Sequence, residues 1–446
     1  MTPAPQGASR EEVAAEMRAA ARSLFRDVLG ECSIARAFER QVEYRRGVLR
    51  IADDLHSLDA YRRVLVLSMG KAAHAMVEAL TREMGGRVEG IVVGAADPPS
   101  QIAGFRYFRG GHPLPNAESV AAASAMLRAL EAQKVDALVL YMISGGASAL
   151  VEKPIDDDIS LTDLISTYQV LVHSGAPIAE INAIRKHLSA VKGGRMARAA
   201  REAQQVSILI SDVPAAAPDA LASGPTMPDS TTCEDCYRIA REYGMLEKFP
   251  ASVRELFEQR ALEETPKSDD AVFRRSRWWP ILSSATAERG AAESAKKLGF
   301  PVEVDNRCDD WDYARAADHL LARVRELRQA SERACVVSAG EVTVKVGAES
   351  GSGGRNQQFA LYCATKIAGE NITVLSAGTD GIDGNSPAAG AVADGTTLAR
   401  AKERGLVIER ALERFDAFPV FEALGDAVVT GPTGTNVRDV RVLLAY

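Results

Sequence analysis

The sequence predicts an α/β fold built on a mainly parallel, doubly wound sheet. Short apolar runs recur in the first half of the chain, and each ends in a loop rich in glycine or proline: RVLVLSMG (63–70), ALVLYMISGG (137–146) and VSILISD (206–212). Helix-period stretches follow the first two runs. Strands that are apolar along their whole length must be covered on both faces, which favours parallel pairing with helices on either side. Ligands of such sheets lie at the carboxyl ends of the strands, so the loops are the expected place for chemistry.

The chain has room for two domains, because its 446 residues compare with roughly 100 to 200 residues in a typical domain. The rhythm of strands and helices breaks at 245–275, a charged stretch without a predicted strand. We therefore place a boundary near residue 250, between a Rossmann-like domain at 1–250 and a smaller α/β domain at 251–446. The last stretch, 426–446, predicts two strands around a turn, and these strands could return to the first domain.

Composition and charge argue against several classes of protein. Hydrophobic residues make up 46% and charged residues 25%, and the formal net charge is −7. This is ordinary globular usage, and an acidic chain is not a generally basic nucleic-acid binder. The sequence contains no run of roughly 18 apolar residues, which would indicate a membrane span. It also shows no basic segment followed by an apolar one, which would indicate export. The six cysteines are too sparse for a disulfide framework. We expect a soluble protein of the reducing cytoplasm, and the sequence leaves a homodimer open.

The first glycine loop carries a lysine at the start of a predicted helix. Gly70 and Lys71 follow an apolar strand, and a lysine in the first helical turn lies at the positive end of the helix dipole, which costs from a few tenths to about 1 kcal/mol. A bound anion would reverse the sign of that effect. The loop therefore predicts an anion site, with a solvated lysine as an equal alternative.

Two further features of the first half favour an anionic ligand. Ser144, Gly145 and Gly146 follow the next apolar strand and leave backbone N–H groups open at a helix start, which suits phosphate or carboxylate. Tight turning of the chain explains these glycines equally well. The segment 181–201 holds six lysine or arginine residues, one histidine and no acidic residue. Most such runs are solvated helix faces, but beside glycine-rich loops this one favours a small anion over nucleic acid.

The most informative run of the second half is ESGSGGRNQ (349–357). Gly353 and Gly354 predict a flexible anion nest, and Arg355 adds a planar donor suited to phosphate or carboxylate. Asn356 follows as a further polar group. A flexible linker is the alternative, although linkers more usually carry serine or glutamate where Arg355 and Asn356 stand.

Carboxylates close several of the predicted strands. Asp212 ends VSILISD, Glu341 follows CVVSAG, and Asp380 and Asp383 lie in SAGTDGIDGN. Mg²⁺ is usually held by one or two such carboxylates facing phosphates, because it keeps several of its waters. The competing explanation is N-capping and Asx-turns, which account for many Asp-Gly pairs and are the stronger interpretation of Asp383.

Several familiar signatures are absent. The sequence contains neither G-x-G-x-x-G nor G-x-x-x-x-G-K-[ST], so the fingerprints of nicotinamide or flavin enzymes and of P-loop enzymes are missing. Cys233 and Cys236 have metal-like spacing but no second pair and no nearby histidine, and a structural zinc site needs four ligands. We therefore expect no zinc there. Among the histidines only His112 lies in a loop typical of a site, and a structural role is favoured for it.

These segments together resemble one family, the ATP-dependent glycerate 2-kinases, also called the MOFRL or type II glycerate kinase family. The resemblance covers nearly the whole chain in order, apart from the charged stretch at 245–275. The matching segments are SMGKAAHAM (68–76), GGHPLPNAESV (110–120), ISGGASAL (143–150), INAIRKHLSAVKGGRMA (181–197), ILISDVP with PDALASGPT (208–226), the GEVTVKV to GSGGRNQQFAL region (340–361), SAGTDGIDGNSPAAGAVAD (376–394) and GPTGTNVRD (431–439).

The resemblance implies a two-domain α/β enzyme with its active site in a cleft between the domains. It also implies transfer of the γ-phosphoryl group of ATP, with Mg²⁺, to the 2-hydroxyl of D-glycerate, which gives 2-phosphoglycerate. The positions thought to carry function in the family fall on Lys71, Asp212, Glu341, Arg355, Asp380 and Asn436. Of these, Glu341 and Asn436 are expected to orient the others.

On this basis we expect Lys71 and Arg355 to clamp the transferred phosphoryl group and the glycerate carboxylate. Asp212 and Asp380 are expected to position Mg²⁺ or to accept the proton of the substrate hydroxyl. The amides of the two glycine loops are expected to face phosphate or carboxylate oxygens. Two rivals stay open: an NAD(P)H-dependent hydroxypyruvate reductase, a label that some family members carry, and a non-catalytic protein that binds a small anion.

Overall fold

The structure is a computed structural model and describes residues 9–214, 216–347 and 350–446. The sequence predicts a short disordered lead at residues 2–9, of which only Ser9 falls within these ranges. Glu349 of the glycine-rich run also lies outside them. Within the described ranges, no helix combines the length and the apolar character that a membrane crossing requires.

Helices occur throughout the described chain. In chain order they are α1 (Arg10–Glu31), α2 (Ile34–Gln41), α3 (Ala73–Met84), α4 (Ala117–Glu131), α5 (Ala147–Leu150), α6 (Leu161–Val172), α7 (Ile178–His187), α8 (Arg195–Ala199), α9 (Cys233–Glu242), α10 (Ala251–Glu258), α11 (Ser284–Lys297), α12 (Tyr313–Ala330), α13 (Arg355–Lys366), α14 (Thr397–Glu403), α15 (Ile408–Glu413) and α16 (Ala417–Leu424). Short 3₁₀ segments lie between some of the helices and strands.

Strands lie between many of these helices, and the first three strands follow one another directly. In chain order they are β1 (Val42–Arg45), β2 (Val48–Ile51), β3 (Asp54–Ser57), β4 (Arg63–Met69), β5 (Glu89–Gly94), β6 (Phe105–Arg109), β7 (Ala137–Ile143), β8 (Gln204–Ile210), β9 (Ser276–Leu282), β10 (Val302–Val304), β11 (Ala334–Ala339), β12 (Ile372–Gly378), β13 (Gly390–Asp394), β14 (Ala427–Val428) and β15 (Asp439–Ala445).

Contacts divide the chain into two compact units. The central unit is Ala37–Ile281. The terminal unit consists of the described residues up to Arg36 together with Leu282–Tyr446. This division differs from the boundary expected near residue 250, and it places α1 with the second half of the chain. α1 packs on α11, where the Ser294 hydroxyl donates to the Asp27 carboxylate at 2.6 Å.

The central unit contains the predicted doubly wound sheet. Its strand order is β6-β5-β4-β7-β8-β9, and β4 to β8 pair in parallel. This order reverses direction between β4 and β7, the point at which such sheets bind ligands. Every residue of β7 is buried, as coverage of both faces requires. The loops after β4 and β7, which carry Lys71 and Ser144-Gly145-Gly146, therefore meet at the switch point.

The terminal unit contains a mixed sheet of order β10-β11-β15-β12-β13-β14. β15 lies between β11 and β12 and is antiparallel to both, with Ala339 opposite Val440 and Gly378 opposite Asp439. The start of β15 therefore lies beside the ends of β11 and β12. This register brings the loops that carry Glu341, Asp380 and Asn436 to one edge of the sheet.

The stretch at 245–275 is part of the central unit, and its apolar residues explain why. Phe249, Val253 and Phe257 recur at helical spacing and are buried in a cluster with Tyr237. β9 then extends the first sheet next to β8. The final strands do not return to the first sheet, because β14 pairs with β13 and β15 with β11 and β12.

Candidate active site

The loops after β4 and β7 are joined by direct hydrogen bonds in the central unit. The amide of Lys71 donates to the Gly145 carbonyl at 2.9 Å, and the amide of Ser144 donates to the Met69 carbonyl at 3.0 Å. The Ser144 hydroxyl accepts from the Ala72 amide at 3.1 Å. Ser144, predicted to face phosphate, is therefore buried and holds the lysine loop to the second loop, while the Lys71 side chain stays exposed.

The glycines of the second loop allow three polar side chains to approach. A Cβ at Gly145 would lie 2.1 Å from Asp212 Oδ2, and one at Gly146 would lie 3.2 Å from both His112 Cδ2 and Lys71 Cγ. Lys71, Asp212 and His112 therefore converge on this loop. α5, which follows it, is a single turn, so its dipole adds little to anion binding.

His112 is a candidate to which the sequence reasoning assigned a structural role. Burial, and then the positive charge of Lys71, lower the pKa of its imidazole. A neutral imidazole can both donate and accept a hydrogen bond, so His112 can contact a ligand held at Lys71. Its place in the loop 110–120 was the available sequence signal.

In the terminal unit, Arg355 is the first residue of α13 and is held by two carboxylates. Its Nε and Nη2 donate to the two oxygens of Asp439 at 2.5 and 3.1 Å, and Nη2 lies 2.7 Å from Glu341 Oε1. Burial lowers the pKa of the guanidinium, but Asp439 and Glu341 outweigh that effect and raise it above its ordinary value. Arg355 is therefore a fixed cation whose plane is set by a bidentate partner.

A cavity of about 660 Å³ lies against this arginine. Its lining includes Glu341, Gly353, Gly354, Arg355 and Asp380, all of them predicted site residues. Burial, together with the nearby charge of Asp439, raises the pKa of the Asp380 carboxyl. The terminal unit thus presents a cation and several carboxylates on the wall of one cavity.

Family models match the two regions of the chain that carry the candidate site residues. A family model described as "Domain of unknown function (DUF4147)" matches residues 20–258, and one described as "MOFRL family" matches residues 334–439. A protein of Pyrococcus horikoshii named glycerate 2-kinase is 34% identical over 390 residues, which are 86% of this chain and 87% of that protein.

The chain belongs to the glycerate 2-kinase family.

A solved structure of glycerate kinase from Thermotoga maritima extends this likeness to the fold. It matches with a TM-score of 0.85 and 30% identity, covering 97% of this chain and 100% of that one. A relative in Agrobacterium vitis, 36% identical over 434 residues that are 95% of this chain and 96% of its own, carries a provisional name as a hydroxypyruvate reductase.

Two other predicted site residues, Gly353 and Asn356 of the glycine-rich run, make hydrogen bonds within the terminal unit. The Gly353 amide donates to Asn385 Oδ1 at 2.9 Å. Asn356 is buried, where its amide and its side-chain Nδ2 both donate to Asp383 Oδ1 and its Oδ1 accepts from the Ser376 hydroxyl at 2.6 Å. Both groups are engaged within the unit, in place of the predicted ligand contacts.

Asp383 acts as the N-terminal cap of α13 from a distant loop. Its oxygens accept the backbone amides of Asn356 and Gln357 at 3.0 and 2.8 Å. Gly354 leaves room for this approach, because a Cβ there would lie 2.2 Å from Asp383 Oδ1. Burial raises the pKa of Asp383 to about 6, although these donors oppose the shift. Capping, the stronger interpretation from sequence, is its role.

Asn436 has a local contact that shapes the turn into β15. Its Oδ1 accepts the amide of Arg438 at 2.9 Å, and Arg438 has a positive φ of 73°. Arg438 is buried and forms a bidentate pair with Asp309 at 2.6 and 2.7 Å. Asn436 therefore supports the loop from which Asp439 reaches Arg355.

The cation-rich segment 181–201 does not form the anion site that its charge suggested. Most of its cations are neutralised inside the central unit. Lys186 pairs with Asp219 and Asp229, Lys192 with Glu152, and Arg195 and Arg198 with Glu263. Burying a charge is costly unless it is paired, so these partners explain why the segment lies inside the fold.

Asp439 is the residue of the candidate site that sequence reasoning missed. It is 2% exposed, and its pairing with Arg355 joins residues 84 positions apart. The available signal was its place at the end of GPTGTNVRD, where an aspartate beside an asparagine and an arginine could have been included among the site residues.

Gly70→Ala is expected to destabilise the central unit by about 1–3 kcal/mol and to displace Lys71. Gly70 has a φ of 122°, and a Cβ there would lie 2.2 Å from Ser144 Oγ. Chemical denaturation measures the effect. Gly86→Ala is the matched control, since Gly86 has a φ of −74° and open space at its Cβ position. Equal stability of the two variants would contradict this account of the loop.

Asp383→Ala is expected to lower the free energy of unfolding by about 2–3 kcal/mol, because it leaves buried helix amides without an acceptor. Asp312→Ala provides the comparison. Asp312 caps α12 locally, accepting from Ala314 and Arg315 at an exposed helix end, and its loss is expected to cost about 1 kcal/mol. Denaturation curves measure the free energy of unfolding of both variants. If Asp383→Ala lost no more of it than Asp312→Ala, Asp383 would not be the cap of α13.

Proposed function

We propose that this chain transfers the γ-phosphoryl group of ATP to the 2-hydroxyl of D-glycerate, giving 2-phosphoglycerate and ADP. The observation that supports this most directly is Lys71. It lies at the switch point of a doubly wound sheet, on glycine loops that also meet Asp212. Proteins of the same family are named glycerate 2-kinase and D-glycerate 2-kinase, which agrees with a phosphotransferase acting on glycerate.

In this proposal the bond between the γ-phosphorus and the oxygen of ADP breaks as a bond to the glycerate oxygen forms. The hydroxyl proton passes to a carboxylate, for which Asp212 and Asp380 are the candidates. Negative charge spreads over the transferred oxygens, so the protein contributes mainly positioning and charge neutralisation. Lys71 supplies a mobile point charge, and Arg355 supplies a fixed planar donor.

The residues present fit Mg²⁺. Asp380 lies close enough to Asp439 that their charges disfavour ionisation of Asp380, and a cation at Asp380 would relieve that repulsion. Asp380 is therefore a proposed ligand of Mg²⁺, and Asp212, which approaches Gly145 in the central unit, is the other candidate. When bound with ATP, Mg²⁺ neutralises charge on the phosphate oxygens. A homodimer and residence in the cytoplasm remain predictions from the sequence.

One assay tests this proposal and its regiochemistry. The protein is incubated with ATP, Mg²⁺ and D-glycerate, and product is detected through enolase with and without added phosphoglycerate mutase. We expect signal without the mutase, which identifies 2-phosphoglycerate. Signal only with the mutase would show 3-phosphoglycerate and overturn the proposed acceptor. Omission of ATP, and L-glycerate in place of the D-isomer, are the controls.

The two rivals give different results in the same preparation. A hydroxypyruvate reductase would oxidise NADH or NADPH with hydroxypyruvate in the absence of ATP. The end of β4 and the loop that follows read Ser68-Met69-Gly70-Lys71. This sequence lacks the glycine pattern of nicotinamide sites, so we expect no oxidation. A non-catalytic protein would bind glycerate or a phosphorylated compound, measurable by calorimetry, without forming product.

A further inference from the structure

A cluster of metal-ligating side chains lies in the central unit among residues that the proposed kinase reaction does not use. His187 ends α7, Cys233 begins α9, and Glu264 follows α10. One ligand atom from each of the three lies within 4.8 Å of the other two. We refer to these three residues as the His–Cys–Glu cluster. It joins two features that the sequence left unexplained, the Cys233/Cys236 spacing and the charged stretch 245–275.

The imidazole of His187 has a hydrogen-bond acceptor on each side. Nδ1 lies 2.8 Å from the Ala183 carbonyl, and Nε2 lies 3.0 Å from Glu264 Oε1. A neutral imidazole carries only one N–H, so a neutral ring would turn a lone pair towards one of these oxygens. His187 is 0% exposed, so water does not relieve the conflict at the ring. An N–H at Nδ1 satisfies the Ala183 carbonyl and leaves Nε2 facing the carboxylate, an arrangement that a cation between Nε2 and Glu264 would complete.

The surroundings of His187 match those of a metal ligand. A ligating histidine usually donates its other N–H to a backbone carbonyl or carboxylate, which fixes the ring, and the Ala183 carbonyl is placed to accept from Nδ1. Donation there leaves the Nε2 lone pair directed at Glu264, and Cys233 Sγ lies within 4.8 Å of that carboxylate. Imidazole, thiolate and carboxylate are the ligand types that Zn²⁺ takes in proteins.

We propose that His187 Nε2, Cys233 Sγ and the Glu264 carboxylate bind one Zn²⁺ ion, with water as the fourth ligand. The Cys233 thiol releases its proton to solvent as the Zn–S bond forms. The ion then links the end of α7, the start of α9 and the chain after α10. The site has three protein ligands, one fewer than a closed structural zinc site. The ion holds the charged stretch 245–275 to the helices beside it.

Two groups oppose or border the proposed ion. Lys267 Nζ lies 2.8 Å from Glu264 Oε1 and is the cation that neutralises this carboxylate when zinc is absent. Cys236 Sγ lies 3.2 Å from His187 Nδ1, beside the nitrogen that does not face Glu264. Cys236 therefore stands next to the cluster without being one of its ligands, and it offers a matched control on the same helix.

The test uses the full chain after treatment with a chelator, titrated with ZnCl₂ in a calorimeter. We expect one ion per chain and a rise in the midpoint of thermal unfolding on binding. Co²⁺ in place of zinc is expected to give a thiolate-to-cobalt charge-transfer band. Cys233→Ser and Glu264→Gln should each weaken zinc binding at least about tenfold, and Cys233→Ser should abolish the band. Cys236→Ser should retain both.

Several results would overturn the proposal. They are the absence of zinc binding, binding that survives in both Cys233→Ser and Glu264→Gln, and binding lost in Cys236→Ser alone. NMR of the zinc-treated protein supplies an independent readout, since a ligated Nε2 carries no proton. A His187 ring with protons on both nitrogens under zinc would show the imidazolium–carboxylate pair instead. Glu264 is partly exposed, so Glu264→Gln remains informative if Cys233→Ser folds poorly.

Discussion

Lys71→Met is expected to lower kcat for glycerate phosphorylation about 10²- to 10³-fold, the usual effect of removing one donor that stabilises developing charge. The side chain is exposed, and the loop is held by backbone atoms through the Lys71 amide and the Gly145 carbonyl. Methionine keeps the length of the chain and removes only the charge. The fold should therefore persist, with thermal unfolding unchanged. Steady-state kinetics with the enolase-coupled assay measures the effect.

Lys134→Met is the matched control for this variant. Lys134 belongs to the same unit, and its side chain is 64% exposed with only a distant partner, Glu202, at 3.6 Å. Its replacement should leave kcat near the wild-type value. If Lys71→Met kept more than about a tenth of wild-type kcat, Lys71 would not be the cation that stabilises the transferred group, and the anion site at the switch point would need another explanation.

Arg355→Lys is expected to lose about 10²-fold or more in kcat even though the charge is conserved. The guanidinium uses two nitrogens on Asp439 and also reaches Glu341. A lysine offers one ammonium group, which cannot reproduce this planar arrangement. Its charge would be drawn towards the carboxylates and away from the cavity. Kinetics and circular dichroism of the purified variant separate loss of function from loss of fold.

Arg289→Lys serves as the control for the arginine variant. Arg289 lies exposed on α11 of the same unit and should tolerate lysine without a change in kcat. Full activity of Arg355→Lys would show that a point charge suffices and that the bidentate pair with Asp439 has no part in catalysis. Asp439→Asn extends the test. It weakens the pair with Arg355 and should therefore reproduce part of the loss in kcat, while Arg355 itself is unchanged.

The sequence predicted the parts of the site that depend on local pattern. An apolar run followed by Gly70-Lys71 is recognisable without knowing its neighbours, because strand burial and the helix start are both encoded within a few residues. The same holds for Gly354 and Arg355, whereas Asp383 caps α13 from a loop 27 positions away. Family resemblance then added the chemistry that these patterns alone left open.

Pairings between distant residues were not predictable in this way. Lys192 looked like part of a positive surface until the fold placed Glu152 beside it, and Asp439 became the partner of Arg355 through the register of β15. His187 and Cys233 are 46 positions apart in sequence, yet α7 and α9 pack together. Sequence spacing does not report contacts that only a folded chain makes.

The α/β class, the glycine loops at strand ends and the residue types that could handle a phosphoryl group follow from the amino-acid sequence, since each rests on interactions within a few residues. Which charges are available for chemistry depends on long-range packing. A buried charge must find a partner, and the partner is chosen by strand register and helix packing. That selection separates the segment 181–201, which is largely neutralised inside the fold, from Lys71, whose side chain remains exposed.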